Sequence, residues 1–463
     1  MASGPGWNGD RGGGGSVLGE DADKASDEFS FDTSIRGKIM RFLTCCLLSS
    51  AVVIPAAANA DTLKLKPLID TRLRYENVDQ TGIAKKADAL TARARLGLEA
   101  TSGQFVFLAE AEGVLALDNN YFSGVNSKSA TYPIVADPQN VELNRIQLQY
   151  KGLPKTVVTV GRQRINLDDQ RFVGSVGWRQ NEQTFDAVRI ENTYIKDLKI
   201  DVTYSWSDRT IWGIDGGKNG FAARPQSIDG DNVFANAAYK TKYGLATAFY
   251  YRVDEDEPVV ALLRNSSATY GGRFAGTYAF SKTFKWNYAV SYARQTSNKT
   301  NPLIYAADYY LVDGSFDIKA FKLGAGVEIL GSDKSVTTKA TGLPLAGGFA
   351  FQTPFATLHK FQGWADKFLT TPAQGIVDYY GSIGYGWKKI GVFDTIGISA
   401  VYHRFDSDVG KIHYGDEYDA QIIAKVKKYT FTAKYADYER KGIASFAGDA
   451  DTKKFWLSAE WAF

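Results

Sequence analysis

Residues 198–206 read LKIDVTYSW, with an apolar side chain at every second position. One face of an extended chain therefore carries Leu198, Ile200, Val202, Tyr204 and Trp206. The opposite face carries Lys199, Asp201, Thr203 and Ser205. A period of two predicts a β-strand that has one face against an apolar environment and the other against water.

The same alternation recurs in eighteen segments of about ten residues. They lie near 63–76, 89–100, 104–116, 142–151, 155–166, 183–193, 198–207, 231–241, 244–254, 268–280, 284–296, 303–313, 317–330, 376–388, 393–405, 414–427, 429–439 and 452–463. A half-buried sheet of a soluble protein would alternate too, but its strands average about five or six residues. Length and repetition therefore favour strands that cross a membrane at a tilt.

The connections between these segments alternate in length without exception. The short ones are 101–103, 152–154, 194–197, 242–243, 281–283, 314–316, 389–392 and 428. The long ones include 117–141, 167–182, 208–230, 255–267 and 331–375. Bacterial outer-membrane barrels have an even number of strands, short periplasmic turns and long extracellular loops. The sequence therefore predicts an all-β fold, a transmembrane antiparallel β-barrel of about 18 strands.

The composition excludes two other classes of protein. A mean hydropathy of −0.25 leaves no room for a bundle of membrane helices, each of which needs about 20 apolar residues. The 27 Phe, 26 Tyr and 9 Trp among 463 residues disfavour intrinsic disorder, because such a chain can bury ample apolar surface. The formal net charge of +3 and its distribution do not suggest nucleic-acid binding.

The first sixty residues differ in character from the rest. Residues 1–39 are Gly-rich and acidic without an apolar period, and we interpret them as a non-native or disordered leader. A positive start and an apolar run follow from Met40 to Ala60. These features predict a signal peptide over 40–60, cleaved near Ala60, which leaves 61–463 as the barrel. Both cysteines lie within this predicted signal peptide.

If the apolar faces contact lipid, the opposite faces line a wet lumen, and arginine is prominent there. The predicted pore-lining or substrate-binding residues are Arg72, Arg74, Arg93, Arg95, Arg145, Arg162, Arg164, Arg171, Arg179 and Arg189. An R-x-R pair on a strand places two guanidinium groups on one face about 7 Å apart. Because rings of arginine favour anions in pores, and the guanidinium fork matches a carboxylate, the pattern predicts an anion-preferring lumen.

An alternative function for these arginines stays open. They would also pair with nearby acidic residues in ladders of ion pairs along the lumen: Asp70, Glu76, Glu99, Glu110, Glu112 and Glu191. Both roles are compatible, since unpaired charges in a confined lumen are costly. Whether Arg162 and Arg164 point to the lumen or to the lipid is the least defined, because both faces of 159–164 mix polar and apolar residues.

Two blocks of sequence resemble a known family. The first is GRQRI at 161–165, running through Asp168, Asp169 and Arg171 to GWRQNEQTFD at 177–186. The second is TPFATLHKF at 353–361, followed by GWADKF at 363–368. Together they resemble the alginate-export family of outer-membrane β-barrels over essentially all of 61–463. The resemblance implies an 18-stranded barrel with an electropositive lumen that passes a uronic-acid polymer or a related anion outward.

Two long connections contain these blocks. Residues 168–181 either fold into the pore mouth, where they present Arg171, Arg179 and Gln180 to a passing chain, or brace the rim of the barrel. Within 331–375, apolar residues at nearly helical spacing over 355–369 predict a short helical lid or plug. A packed outer loop without a gating role is the alternative.

We therefore expect a monomeric, passive channel in the lipid outer membrane that exports an acidic polysaccharide such as alginate or a related uronate. The direction of transport would come from periplasmic export or synthesis proteins. We expect no cofactor, no metal site and no catalysis. One alternative is a general anion-preferring porin that takes up small anions or nutrients. A second is a hydrolase at the barrel rim that uses His403, with Asp406 and Asp408 nearby, or His413 with Asp416. No G-x-S-x-G or H-E-x-x-H motif supports the hydrolase.

Overall fold

A computed structural model describes residues 63–442 and 444–463 of the chain. The predicted leader over 1–39 and the predicted signal peptide over 40–60 lie outside these residues. No helix within the described ranges is long and apolar enough to cross a membrane.

Eighteen antiparallel strands form one closed sheet, as the sequence predicts. They are β1 Lys64–Gln80, β2 Ala87–Ser102, β3 Phe105–Asn120, β4 Asn140–Leu153, β5 Thr156–Gln163, β6 Thr184–Asn192, β7 Leu198–Arg209, β8 Ser227–Lys240, β9 Leu245–Val253, β10 Ser267–Ala279, β11 Phe284–Ser297, β12 Ala306–Ile318, β13 Phe321–Leu330, β14 Ile376–Ile390, β15 Phe393–Asp406, β16 His413–Val426, β17 Tyr429–Arg440 and β18 Thr452–Ala462. Each strand pairs with the next one along the chain, and β18 pairs with β1 from Asp70↔Ala462 to Gln80↔Thr452. The barrel is therefore closed, and the antiparallel order of its strands is confirmed.

The alternation in the sequence sorts side chains between the two faces of the sheet. On β7, Val202, Tyr204 and Trp206 lie on the outer face with about 40 % of their surface exposed, whereas Asp201 and Thr203 are buried inside. Exposed aromatic side chains also collect on the outer face near the short turns: Tyr194, Tyr243, Phe280, Phe284, Trp286, Phe316, Phe321 and Phe463. Such a girdle marks the level of a membrane interface in barrels of this type.

One predicted turn is wrong. The sequence places a strand at 303–313 and a turn at 314–316, whereas β12 runs through Gly314 and Phe316 to Ile318. Gly314 lies opposite Tyr288 within the sheet, so this glycine does not mark a turn. Lys319 makes the turn instead, with a φ of +55°, a conformation that glycine adopts more readily than lysine.

Two long connections enter the barrel, and we name them loop A (residues 164–183) and loop B (residues 331–375). The helix predicted over 355–369 in loop B is wrong, because only Leu358–Lys360 forms a single 3-10 turn. Positive φ angles at Gln362, Gly363 and Asp366 are incompatible with a continuous helix. The apolar residues of this stretch therefore pack in different directions rather than along one helical face.

Candidate functional site: the barrel interior

The inner faces of β1 to β4, together with loop A, carry a concentration of guanidinium groups. We call Arg72, Arg74, Arg93, Arg95, Arg145 and Arg164 the arginine wall. In the register of β1 and β2, Arg72 lies opposite Arg93, and Asp70 lies opposite Arg95. Like charges directly opposite each other destabilise a sheet, so this wall needs carboxylates nearby.

Most arginines of the wall have carboxylate partners. Arg145 donates two hydrogen bonds to Glu110, at 2.8 and 2.7 Å. Arg164 contacts both carboxylate oxygens of Glu182 through Nε, at 3.0 and 2.9 Å. Asn144 donates to both carboxylates, 2.9 Å from Glu110 and 2.7 Å from Glu182. The predicted ladder of ion pairs is therefore present in this part of the interior.

Arg95 connects this ladder to β3. Its Nε donates to Glu112, and its Nη1 lies 3.2 Å from Glu182. The side chains of Arg95 and Glu112 are both almost fully buried. Glu182 belongs to loop A, so the loop supplies a carboxylate that the strands themselves lack.

The backbone of loop A covers the wall. Arg72 donates hydrogen bonds through Nη1 to the carbonyl oxygens of Trp178 and Arg179, at 2.9 and 3.2 Å, and through Nη2 to that of Gly177, at 3.2 Å. Its Nε donates to Glu460 on β18 at 2.6 Å. The loop therefore lies directly on the inner wall of the barrel.

Arg74 and Arg93 are different, because their guanidinium groups are only partly compensated. Arg74 is fully buried over the ring of Trp178, 4.1 Å from the ring centroid, and its nearest carboxylate oxygen, on Asp137, is 3.9 Å away. Its three guanidinium nitrogens have no hydrogen-bond partner among the described residues. Arg93 donates to Asp70 through Nη2, while its Nε and Nη1 have no partner in the same part of the chain. The unsatisfied hydrogen-bond donors of the wall are therefore located at these two side chains.

The arginines of loop A reach the opposite sides of the barrel. Arg171 donates to Glu328 on β13 at 2.6 Å and to Thr353 in loop B at 2.9 Å. Arg179 donates to Glu76 on β1 at 3.1 Å and to Asp366 in loop B at 2.9 Å. Both side chains are buried in these contacts. Loop A thus crosses the lumen.

Gln180 shares this arrangement, since its Nε2 donates to the hydroxyl of Thr91 on β2 at 2.8 Å. Of the three loop residues named from the sequence, Arg171 and Arg179 therefore contact both the barrel and loop B, and Gln180 contacts the barrel.

Arg189 and Arg162 lie apart from the wall. Arg189 faces inward from β6 and binds Asp201 through two hydrogen bonds, at 2.9 and 2.6 Å. Arg162 likewise donates two hydrogen bonds to Asp186, both at 2.8 Å. In the sheet, however, it lies opposite Ile146, whose side chain is exposed on the outer face. The structure thus places Arg162 outside the lumen. Along β5 the alternation is regular, because Thr159 and Gln163 are buried inside while Val160 is exposed on the same outer face as Arg162.

Sequence reasoning missed a buried cluster around Asp366. Asp366 accepts hydrogen bonds from Arg179, from Lys454 on β18 at 2.8 Å and from Nδ1 of His359 at 2.7 Å. Burial would raise the pKa of Asp366, but His359, Lys454 and Arg179 outweigh it and hold this pKa well below its usual range. Lys434 on β17 completes the cluster, 2.8 Å from Nε2 of His359.

The ionisation of His359 follows from its surroundings. Burial lowers its pKa well below the usual value, and Lys434 and Arg179 act in the same direction, although Asp366 opposes them. The ring also stacks on Trp178 with centroids 4.3 Å apart. A neutral imidazole that donates from Nδ1 to Asp366 can accept from Lys434 at Nε2. The family-like blocks of the sequence contain His359 and Asp366, but no local pattern indicates which partners they meet.

The other side of the lumen is apolar. Phe172 of loop A packs against Phe249 and Tyr309 at centroid distances of 5.2 Å, and against Phe351 of loop B at 5.9 Å. These rings belong to a larger buried cluster, which we call the aromatic core: Phe172, Phe185, Phe234, Phe249, Tyr251, Tyr309, Phe351 and Phe355. It joins β6, β8, β9 and β12 to both loops. Side chains therefore fill this part of the lumen.

The histidines considered for catalysis are in separate places. His403 points inward and binds Asp378 at 2.9 Å, so its expected association with Asp406 and Asp408 is not observed. Asp406 contacts His413 instead, at 2.6 Å, and His413 also has its expected contact with Asp416, at 3.4 Å.

Two of three comparisons with known proteins agree with this architecture. The sequence pattern of the alginate export family matches residues 69–306. A search of the curated proteins found no match.

Solved structures with a similar fold include OccAB3 of Acinetobacter baumannii, at 14 % identity and a TM-score of 0.63 over 86 % of this chain and 99 % of that one. OpdK of Pseudomonas aeruginosa, solved with vanillate, has 9 % identity and a TM-score of 0.60 over 86 % and 98 %. OccK8 (OprE) of the same organism has 13 % identity and a TM-score of 0.60 over 86 % and 98 %. The chain has the barrel fold of these outer-membrane porins, and because the family pattern covers half of its length, it belongs to the alginate export family.

Proposed function

We propose that this protein is a passive outer-membrane channel whose arginine wall favours anions, and that it exports an acidic polysaccharide such as alginate or a related uronate. It acts as a monomer after removal of a signal peptide near Ala60, and the direction of transport comes from periplasmic partners. No catalytic step is part of the proposal.

The observation that carries the proposal is the state of Arg74 and Arg93. Five of their six guanidinium nitrogens have no hydrogen-bond partner within the described ranges, and the nearest carboxylate to Arg74 is 3.9 Å away. A carboxylate that approaches them gains hydrogen bonds that replace part of its lost hydration. Partly satisfied, weak sites of this kind let a polyanion enter and leave without being trapped.

The loops limit which anion can pass in this conformation. Backbone groups at 177–179 cover Arg72, and the aromatic core fills the other side of the lumen. A polymer therefore needs loop A to move away from the wall, whereas a small anion needs less movement. This favours uptake of small anions as a second candidate function, and the solved complex of the similarly folded OpdK with vanillate, itself a carboxylate, supports the same candidate.

Measurements in planar lipid bilayers would test the proposal. The reversal potential under a KCl gradient should show anion preference, and Arg74→Met should reduce it while Arg162→Met, on the outer face, should not. A cation-selective wild-type pore would contradict the proposal. Polyuronate should block the current and a neutral glucan of the same length should not. Block by small carboxylates without block by polyuronate would favour the second candidate function.

A further inference from the structure

Asp366 connects four parts of the molecule through one carboxylate. Its Oδ2 accepts from Arg179 of loop A at 2.9 Å and from Lys454 of β18 at 2.8 Å, and its Oδ1 contacts His359 of loop B at 2.7 Å. Arg179 extends the connection to β1 by donating to Glu76 at 3.1 Å. The side chain of Asp366 is 5 % exposed, so water does not screen these contacts.

The backbone just before Asp366 is fixed to β16. The amide of Ala365 donates to Glu417 at 2.7 Å, and the amide of Trp364 donates to Asp419 at 3.2 Å. Gly363 has a φ of +79°, and a Cβ there would lie 2.4 to 2.6 Å from the carboxylate of Glu417. The positive φ favours glycine at this position, and a side chain there would displace the carboxylate of Glu417.

The two loops also meet on the side of the aromatic core, through contacts of a different kind. The amide of Gly174 donates to the carbonyl of Phe355 at 2.8 Å, and the amide of Thr357 donates to that of Gln170 at 3.0 Å. Phe355 packs against Phe185 and Phe234 at 5.5 and 5.8 Å. These contacts are backbone and apolar, so they do not depend on the charge of Asp366.

We propose that Asp366 is a positioning residue that holds loops A and B over the arginine wall, and that loss of its charge uncovers the wall while the loops stay attached at the aromatic core. This inference rests on the proposed function. Without the negative charge, Arg179 and Lys454 would share one buried position as like charges, with Glu76 as the remaining close acceptor for Arg179. Repulsion and poor hydration would then move 177–179 and 363–366 away from the wall.

The variant Asp366→Asn keeps the shape of the side chain and removes its charge. We expect single-channel conductance to rise about twofold or more, with stronger anion preference, because the guanidinium groups of the wall then contact the solution. Asp366→Glu restores the charge and should return both quantities toward wild type. A merely structural role would not produce a selectivity change that a charge-conserving variant reverses. Asp437→Asn on the outer face of β17 is the matched control and should behave as wild type.

A second measurement determines whether the arginine wall is accessible to solvent, and it does not depend on ion conduction. Phenylglyoxal modifies accessible arginines, and mass spectrometry locates the product. Arg74 should be modified in folded Asp366→Asn and protected in wild type and in Asp437→Asn. Heat-dependent gel mobility verifies that each barrel is folded before modification.

The outcomes distinguish this inference from the proposed function. If wild type conducts anions and Asp366→Asn has the same conductance and the same protection of Arg74, the inference is wrong and the channel stands. If wild type is silent but Asp366→Asn conducts, both are supported. If folded wild type and folded Asp366→Asn pass no current, both fall. A larger current with unchanged protection of Arg74 would contradict the inference alone.

Discussion

The aromatic core and the arginine wall occupy opposite sides of one lumen, and they differ in how well their groups are satisfied. In the core, rings of Phe185, Phe234 and Phe355 contact each other at 5.5 to 5.8 Å, and the hydroxyl of Tyr309 donates to Glu328 at 2.9 Å. In the wall, Arg74 and Arg93 are buried with most of their nitrogens unpaired. Buried polar atoms without partners are costly, which agrees with the proposal that these two side chains serve transport rather than stability. The core attaches the loops, and the wall is the surface that they cover.

The largest expected effect comes from breaking the core. Phe355→Ala should loosen both loops by about 3–5 kcal/mol, the usual cost of removing a buried phenyl ring. Hydrogen exchange is the measurement, because the amide of Gly174 donates to the carbonyl of Phe355. Its protection should fall by two to four orders of magnitude, since about 1.4 kcal/mol corresponds to a factor of ten. Phe316→Ala on the lipid-facing side is the control. If this variant reduced the protection of the Gly174 amide as much as Phe355→Ala does, the aromatic core would not be what attaches the loops.

The second effect is on the wall, where stability and selectivity should change in opposite directions. Arg74→Met removes a buried charge that lacks a close partner, so the free energy of unfolding should rise by about 1 kcal/mol. The same change should reduce anion preference by up to about tenfold, because a charge some 10 Å from a passing ion contributes roughly 1–2 kcal/mol at an effective dielectric of 20. Denaturant titration and reversal potentials measure the two quantities. A destabilised variant with unchanged selectivity would mean that Arg74 is purely structural.

A smaller effect should appear on acidification. The buried His359 has a pKa well below 6.5, whereas an exposed imidazole takes up a proton below that pH. Because the unfolded chain then binds more protons than the folded one, stability should fall as the pH drops below 6.5, by at most about 1.4 kcal/mol per pH unit. The thermal midpoint between pH 7.5 and 5 measures this. In His359→Gln the thermal midpoint should depend less on pH than in wild type, whereas His413→Gln should show the wild-type dependence. The same pH dependence in wild type and both variants would contradict the prediction.

The smallest expected effect tests the paired part of the wall. Glu110 and Arg145 form an ion pair with two hydrogen bonds. The double variant Glu110→Gln/Arg145→Gln removes one charge of each sign, so the net charge of the lumen and the reversal potential should stay the same. Either single variant should shift the reversal potential, in opposite directions. A large shift of the reversal potential in the double variant would mean that the positions of individual charges determine selectivity more than the net charge of the lumen does.

The sequence predicts the frame of this molecule better than its interior. Period-two alternation follows from the local chain, so all eighteen strands and the inward facing of Arg72, Arg74, Arg93 and Arg95 could be predicted. Arg162 could not be placed, because both faces of 159–164 mix polar and apolar residues, so the sequence does not show which face is the outer one.

Local sequence patterns could not predict the cluster around Asp366 either. Asp366 meets Arg179 and Lys454, which are 187 and 88 positions away along the chain. Only the closure of the barrel and the entry of both loops bring these side chains together. The apolar spacing in 355–369 was misleading for the same reason, since its residues pack against different strands and not along a helix.

The junction of β1 and β18 constrains how the molecule is made. Phe463 and Ile69 exchange backbone hydrogen bonds across it, so the first and last strands complete each other. Any precursor that lacks β18 has two open sheet edges, and unpaired backbone groups are prohibitively costly in hydrocarbon. Assembly must therefore join β1 to β18 before the sheet is surrounded by hydrocarbon, because only the sealed ring leaves no strand edge unpaired.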